Sequence, residues 1–360
     1  MNQRRDARPA ATAESSGADF LMVEDLRVNY GSPAGVVHAV DGVSFSVSRA
    51  ESFAIVGESG CGKSSTARAI VQLERTAGGR ICVDGVEVSS LRGKELRKVR
   101  RRFQMVFQDP FSSLDPRLTV GAIIREPLVV NGVGDRASRR QRSDELLRTV
   151  GLGETFDSRY PRQLSGGQRQ RVAIARSLVL QPDLVVCDEP VSALDVSIQA
   201  QIMGLLDELQ RLFELTIVFI SHDLAVVRHV ADRVAVMYLG KIVELATVDE
   251  LFGRPTHPYT QALVSAAPIP NVRLERARKR IILTGDVPSA ANPPSGCRFR
   301  TRCPYAQQRC AEEEPVLRDV ADEHVAACHF FERIQQVTAA TSAEATAVGL
   351  AIENPEPSEG

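Results

Sequence analysis

The sequence has no run of about 18 uncharged apolar residues, the length a membrane-crossing helix requires. No span is therefore expected, and any membrane role would come through a partner. There is no charge excess either: 44 Lys and Arg face 45 Asp and Glu, a net charge of −1. That balance gives no overall drive toward nucleic acid or an anionic bilayer. Met1–Gly17 is rich in Arg, Ala and Ser but lacks an apolar core, so it does not read as a secretory signal. The expectation is a cytosolic chain with a disordered arm over 1–18. A second disordered stretch is expected over 333–360, where Ala, Glu, Thr and Pro accumulate. In such a compartment seven cysteines argue against disulfides. Cys61, Cys82 and Cys187 read as small buried or half-buried residues.

What is present is dominated by one loop. Gly57-Glu58-Ser59-Gly60-Cys61-Gly62-Lys63-Ser64 matches G-x-x-x-x-G-K-[ST], the phosphate-binding loop, and Ser65 follows it. Its glycines let successive backbone N–H groups turn toward a phosphate. Lys63 is placed to reach the β- and γ-phosphates, and the Ser64 hydroxyl to ligate Mg²⁺. Ser52–Val56 reads as a buried strand before the loop, and Ser64–Glu74 as a helix whose N-terminus adds its dipole to the anion site.

Around this loop the pattern is α/β. Leu21, Val23, Leu26, Val28 and Tyr30, then Val43, Phe45 and Val47, alternate as strands do, and Asp41-Gly42 reads as the turn between two such runs. Residues 81–88 repeat strand–turn–strand. Together they predict an antiparallel β subdomain. Pro110, Pro116, Pro127 and Pro161 punctuate helix-like runs at Val120–Glu126 and Ser143–Val150. Strands over 184–188, 216–221 and 233–237 alternate with helices, which implies a mainly parallel sheet with crossover helices. The seven basic residues of Arg92–Arg102 read as a solvated helix face, because no aromatic residues interleave with them.

Further motifs follow in order. Leu164-Ser165-Gly166-Gly167-Gln168 opens a helix-like run. Leu184–Cys187 is an apolar strand ending in Asp188 and Glu189. Ser192–Asp195 and Thr216–Asp223, the latter containing His222, come next, and Gln108 follows the strand-like Met105–Phe107. In this order and spacing they resemble the ATPases of ABC transporters, over about residues 20–250. Longer segments narrow the resemblance: 107–120 (FQDPFSSLDPRLTV), 188–201, 220–245 and the run His257–Leu263 are similar to the dipeptide/oligopeptide (and nickel) importer ATPases, the F-type subunit more than its D-type partner.

This resemblance implies an ABC-type P-loop ATPase domain over 19–250. It would comprise a mainly parallel core, an antiparallel β subdomain and a helical subdomain at about 110–180. A small cysteine-containing lobe over 251–332 would follow. It implies ATP and Mg²⁺ as ligands, with Tyr30 stacked on adenine and Mg²⁺ held by Ser64, Gln108 and Asp188. Glu189 would activate the attacking water, and His222 would contact it and the γ-phosphate. Leu164–Gln168 and Asp195 would serve the ATP of a second cassette in a head-to-tail dimer. The expected partners are a paralogous D-type ATPase, two transmembrane permeases and a solute-binding protein, at the cytoplasmic face of the cell membrane and without nucleic acid. The expected function is to power peptide uptake. A nickel or other solute importer, and a soluble ABC ATPase acting on nucleic acid or ribosomes, are the alternatives.

The remaining cysteines, Cys297, Cys303, Cys310 and Cys328, are separated by five, six and seventeen residues in a Pro- and charge-rich segment. A small lobe with little core benefits from a staple. Four thiolates can bind a 4Fe–4S cluster or Zn²⁺. The absence of paired C-x-x-C knuckles favours iron–sulfur over zinc, and the family resemblance implies a 4Fe–4S cluster here. Four reduced thiols without metal is the alternative. His324 and His329 read as surface residues.

Overall fold

The computed structural model describes residues 19–32, 35–109, 113–192, 194–268 and 280–334. The expected arm over 1–18 and all but the first two residues of the expected tail lie outside this range, as do Pro110 and Ala193.

Two sheets organise the chain. The smaller is antiparallel, in the order β2-β1-β4-β5. It comprises β1 (Leu21–Ser32), β2 (Gly35–Val47), β4 (Gly78–Val83) and β5 (Val86–Glu87). Leu21 and Val23 of β1 are buried at period 2, and Leu26 and Val28 resume that period after a register shift at Asp25, which has φ 44°. Asp84 and Gly85, both at positive φ, turn β4 into β5. That pair of conformations is what a two-residue hairpin demands.

Asp41-Gly42 is not the turn between β1 and β2. It lies inside β2, where Leu26 pairs with Val43 but Arg27 pairs with Asp41, so Gly42 at φ 78° is the extra residue of a bulge. The same Asp-Gly chemistry that favours a tight turn supplies the positive φ a bulge needs. Asp41 is thereby aimed at Lys241 (3.5 Å) and Arg298.

The larger sheet has eight strands in the order β11-β12-β10-β9-β3-β8-β7-β6. Its parallel half is β6 (Phe103–Val106), β7 (Leu184–Asp188), β8 (Thr216–Ser221), β3 (Ser52–Val56) and β9 (Arg233–Tyr238). β3, β7 and β8 are buried at every residue, so they read as continuous apolar runs without alternation. β10 (Lys241–Thr247), β12 (His324–Ala326) and β11 (Arg318–Ala321) continue the sheet antiparallel.

Helices cover the faces: α1 (Lys63–Ile70), α2 (Gly93–Val99), α3 (Val120–Val130), α4 (Arg136–Thr149), α5 (Gly166–Leu178), α6 (Val196–Phe213), α7 (Leu224–Val230), α8 (Val248–Gly253), α9 (Pro258–Ala266) and α10 (Gln308–Glu312). α2 buries no residue, in keeping with a solvated basic face. Pro127 does not end α3 but lies within it. No described helix is long and apolar enough to cross a membrane.

Candidate active site

The parallel strands deliver the candidate residues to one edge. β3 ends at Val56 and runs into the Gly57–Ser64 loop, which turns directly into α1. The loop is close to its neighbours. A Cβ on Gly62, at φ 106°, would meet the Ala39 carbonyl oxygen at 2.1 Å, and one on Gly57 would meet that of Met237 at 2.1 Å. Glycine is thus required by both space and dihedral. Lys63 is 4% exposed, and its Nζ donates to the carbonyls of Gly57 (2.8 Å) and Glu58 (3.0 Å). Cys61 is buried beside it, and burial pushes its thiol up, so it is a neutral packing residue. Ser59 and Gly60 form the exposed tip. No side chain caps α1, whose first amides are therefore free of side-chain partners. Tyr30 on β1 reaches this helix, its Oη lying 3.3 Å from both Ser65 Oγ and Glu74 Oε2.

Across the edge, β7 ends in Asp188 and Glu189. The Ser64 hydroxyl donates to Asp188 Oδ1 at 2.8 Å. Burial raises the pKa of Asp188, and the Glu189 charge adds to the rise while the Ser64 hydrogen bond opposes it. Glu189 is held at φ 44°, a left-handed conformation that costs a non-glycine residue of order 1 kcal/mol and recurs at functional sites. Its Oε2 accepts from Gln108 Nε2 at 3.0 Å and lies 3.1 Å from His222 Nδ1. Gln108 follows β6 and His222 follows β8, the two strands flanking β7, so adjacency in the sheet brings all three together.

Leu164–Gln168 goes elsewhere. Ser165 and Gln168 close a capping box at the start of α5, with Gln168 N donating to Ser165 Oγ and Ser165 N to Gln168 Oε1. Gly166 and Gly167 face Leu194 and Ile198, and a Cβ on Gly167 would meet Ile198 Cγ2 at 2.6 Å. Asp195 caps α6, accepting from Ile198 N at 3.1 Å. Leu164–Gln168 and the segment after Glu189 are thus packed on each other.

The C-terminal cysteines overturn the iron–sulfur expectation and its zinc alternative. Cys297, Cys303, Cys310 and Cys328 do line one small cavity, together with Phe299 and Phe330. Yet among the described residues no group of three or more His, Cys, Asp or Glu is arranged to hold a metal ion. All four are free thiols. Burial pushes Cys297 up to about 11 and Cys303 up to about 12, so both are neutral thiols. The segment is held by other means. β12 pairs with β10, and Phe299 packs on Tyr238 and Tyr259 with ring centroids 5.3 and 5.4 Å away.

His324 is likewise not a surface residue. It is 1% exposed, with Nε2 2.8 Å from Glu244 Oε1. His329 is half-buried against the Glu313 carbonyl. Sequence reasoning also missed Tyr259 and Arg302, both of which hydrogen-bond Glu58 in the loop. Tyr259 sits in the His257–Leu263 run, which carried family resemblance and no role. Arg302 was masked by the neighbouring cysteines.

Comparison with known proteins agrees with this fold. The ABC transporter family model matches residues 40–192, and the model for the oligopeptide/dipeptide transporter C-terminal region matches 243–310. The oligopeptide transport ATP-binding protein AppF of Bacillus subtilis is 53% identical, over 82% of this chain and 91% of that protein. OppF of Salmonella typhimurium is 48% identical, over 86% and 95%. Among solved structures, the dimeric ATP-binding cassette MJ0796 bound to ADP and Pi superposes with a TM-score of 0.58 at 32% identity, covering 63% of this chain and 98% of that one. CbiO1 of Clostridium perfringens gives 0.59 at 33%, covering 66% and 91%. With phosphate-loop fold, ordered motifs and relatives matched over most of their length in agreement, the chain is an ABC-type ATPase and belongs to the F-type ATP-binding subunits of peptide ABC transporters.

Proposed function

We propose that this chain binds MgATP at the Gly57–Ser65 loop and hydrolyses it at Glu189 to power peptide uptake. The observation that carries the reading is the convergence of Gln108 and His222 on one oxygen of Glu189. A carboxylate with two such partners has its free lone pairs fixed in direction. It can therefore orient a water without reorganising as the reaction proceeds. Lys63 and the loop amides neutralise the β- and γ-phosphates, and Tyr30 stacks on the adenine.

The oxygen donors of Ser64, Asp188 and Gln108 suit a hard divalent cation. The Ser64–Asp188 contact already places two of them together. Mg²⁺, when bound there, supplies charge neutralisation between the phosphates. Asp188, costly to ionise in its buried setting, would be relieved by that cation. His222 keeps Glu189 in place and reaches the γ-phosphate.

Leu164–Gln168 and Asp195, turned toward α6, act on the ATP of a second cassette. The working assembly is a heteromer at the cytoplasmic face of the membrane: this chain, a paralogous D-type ATPase, two permeases and a solute-binding protein. The relatives support peptide as cargo, since AppF and OppF are oligopeptide transport proteins by name. Mass measurement of the complex purified from membranes tests the assembly. The heteromer gives one copy of this chain with a paralogue and two polytopic subunits. Two copies without a paralogue, or co-purified ribosomes or nucleic acid, refute it.

A further inference from the structure

The C-terminal segment grips the phosphate loop directly. Arg302, its side chain 8% exposed, donates from Nη1 to Glu58 Oε2 at 2.8 Å. Glu58 is the second residue of the loop, and its own N–H donates to Tyr259 Oη at 2.9 Å. Tyr259 is fully buried, with its ring on Tyr238 at 4.8 Å, and burial pushes its phenol up, so it stays neutral. A second grip lies on the other side. Arg298 bonds the Leu239 carbonyl and Asp41, and the next residue, Gly240, donates its N–H to the Cys61 carbonyl at 2.8 Å. The loop is thus pinned at Glu58 directly and at Cys61 through the β9–β10 turn.

A carboxylate inside an anion-binding loop is an electrostatic liability, because it repels the triphosphate the loop must accept. Screening is weak where one partner is almost wholly desolvated. Arg302 cancels that charge, and Tyr259 fixes the Glu58 peptide that carries it.

We propose that Arg302 and Tyr259 are positioning residues for ATP. The C-terminal segment would set nucleotide affinity by neutralising Glu58 and holding its peptide. This rests on the reading of Gly57–Ser65 as the phosphate loop. It assigns to residues far along the chain a role in the first step of the reaction.

The test measures KM for MgATP and kcat in the full chain, with direct binding of a fluorescent ATP analogue. R302Q should raise KM about tenfold and leave kcat within about twofold, because the charge opposes binding in ground and transition states alike. R302K should recover most of the loss, since it restores the charge. The decisive variant is R302Q/E58Q, in which the carboxylate itself is gone; KM should return to within about twofold of the parent. A purely packing role for Arg302 predicts no such rescue, so a double variant as impaired as R302Q overturns the proposal. Should R302Q fail to fold, E58Q alone still decides. It leaves the Arg302 cation facing the phosphates, so KM should fall several-fold; an unchanged or raised KM contradicts the proposal. K63A is the control. Unchanged ATP binding in K63A would remove the phosphate-loop reading itself. Lost binding in K63A with unchanged KM in R302Q would overturn this proposal alone.

Discussion

The Ser64 hydroxyl donates to Asp188 across 2.8 Å, joining the first turn of α1 to the end of β7. The contact closes a ring of strand, loop and helix around the site. Asp188 is 2% exposed, and burial raises its pKa. A raised carboxyl protonates earlier as pH falls, and cation binding requires the deprotonated form. The apparent Mg²⁺ requirement for ATP hydrolysis should therefore rise as pH falls. D188N should raise it at all pH values and flatten the dependence. Mg²⁺ titrations of turnover at several pH values check this; an unchanged slope in D188N would remove Asp188 from the cation's surroundings.

The C-terminal thiols should be slow to react. With Cys303 pushed up to about 12, its thiolate fraction near neutral pH is minute. Alkylation should run roughly a hundredfold below that of a free cysteine, after allowing for the greater nucleophilicity of a high-pKa thiolate. Mass spectrometry of timed alkylation measures the rate at each cysteine. Fast labelling at Cys297 and Cys303 would contradict burial of these thiols in their neutral form.

His257 imposes an acid limit on stability. It is wholly buried as the cap of α9, its Nδ1 accepting from Tyr259 N at 3.1 Å, and desolvation pushes its pKa down to about 3. The unfolded imidazole titrates near 6.5. Below that value the unfolded state takes up a proton that the folded state refuses. The histidine's contribution is therefore complete above about pH 6.5 and is lost progressively toward pH 3, by up to a few kcal/mol. Denaturant midpoints across this window should fall less steeply for H257N, whose amide oxygen can still cap the helix. Parallel curves for the two proteins would contradict the assignment.

Much of the fold was legible because its strongest signals are local. β3, β7 and β8 are short, apolar except at their ends and bounded by motif residues, so their limits follow from the sequence. Asp41-Gly42 was not legible. A bulge and a hairpin turn both need positive φ, and the choice depends on which strand lies opposite. Pro127 was read as a breaker, though α3 carries it internally. At the site, Ser64, Asp188, Glu189, Gln108 and His222 converge because sheet order places their strands side by side; the last four stand just after apolar runs, and Ser64 closes the glycine loop. Arg302 and Tyr259 meet Glu58 from positions 244 and 201 residues away. No periodicity encodes such a contact. The cysteine spacing carried the opposite lesson, since four thiols brought near one cavity by an apolar cluster look, in sequence, like a ligand set.

Hydrolysis rests most directly on Glu189 in the proposed function, held in a left-handed conformation with Gln108 and His222 on one oxygen. E189Q preserves size but removes the negative charge to which water activation is assigned in the proposed function. Single-turnover hydrolysis by the assembled complex, with this subunit's site isolated by inactivating the other cassette, is the measurement. ATP affinity should stay within a few-fold of the parent while the hydrolysis rate falls about 10²–10⁴-fold. Near-normal hydrolysis at this site in E189Q would contradict water activation by Glu189.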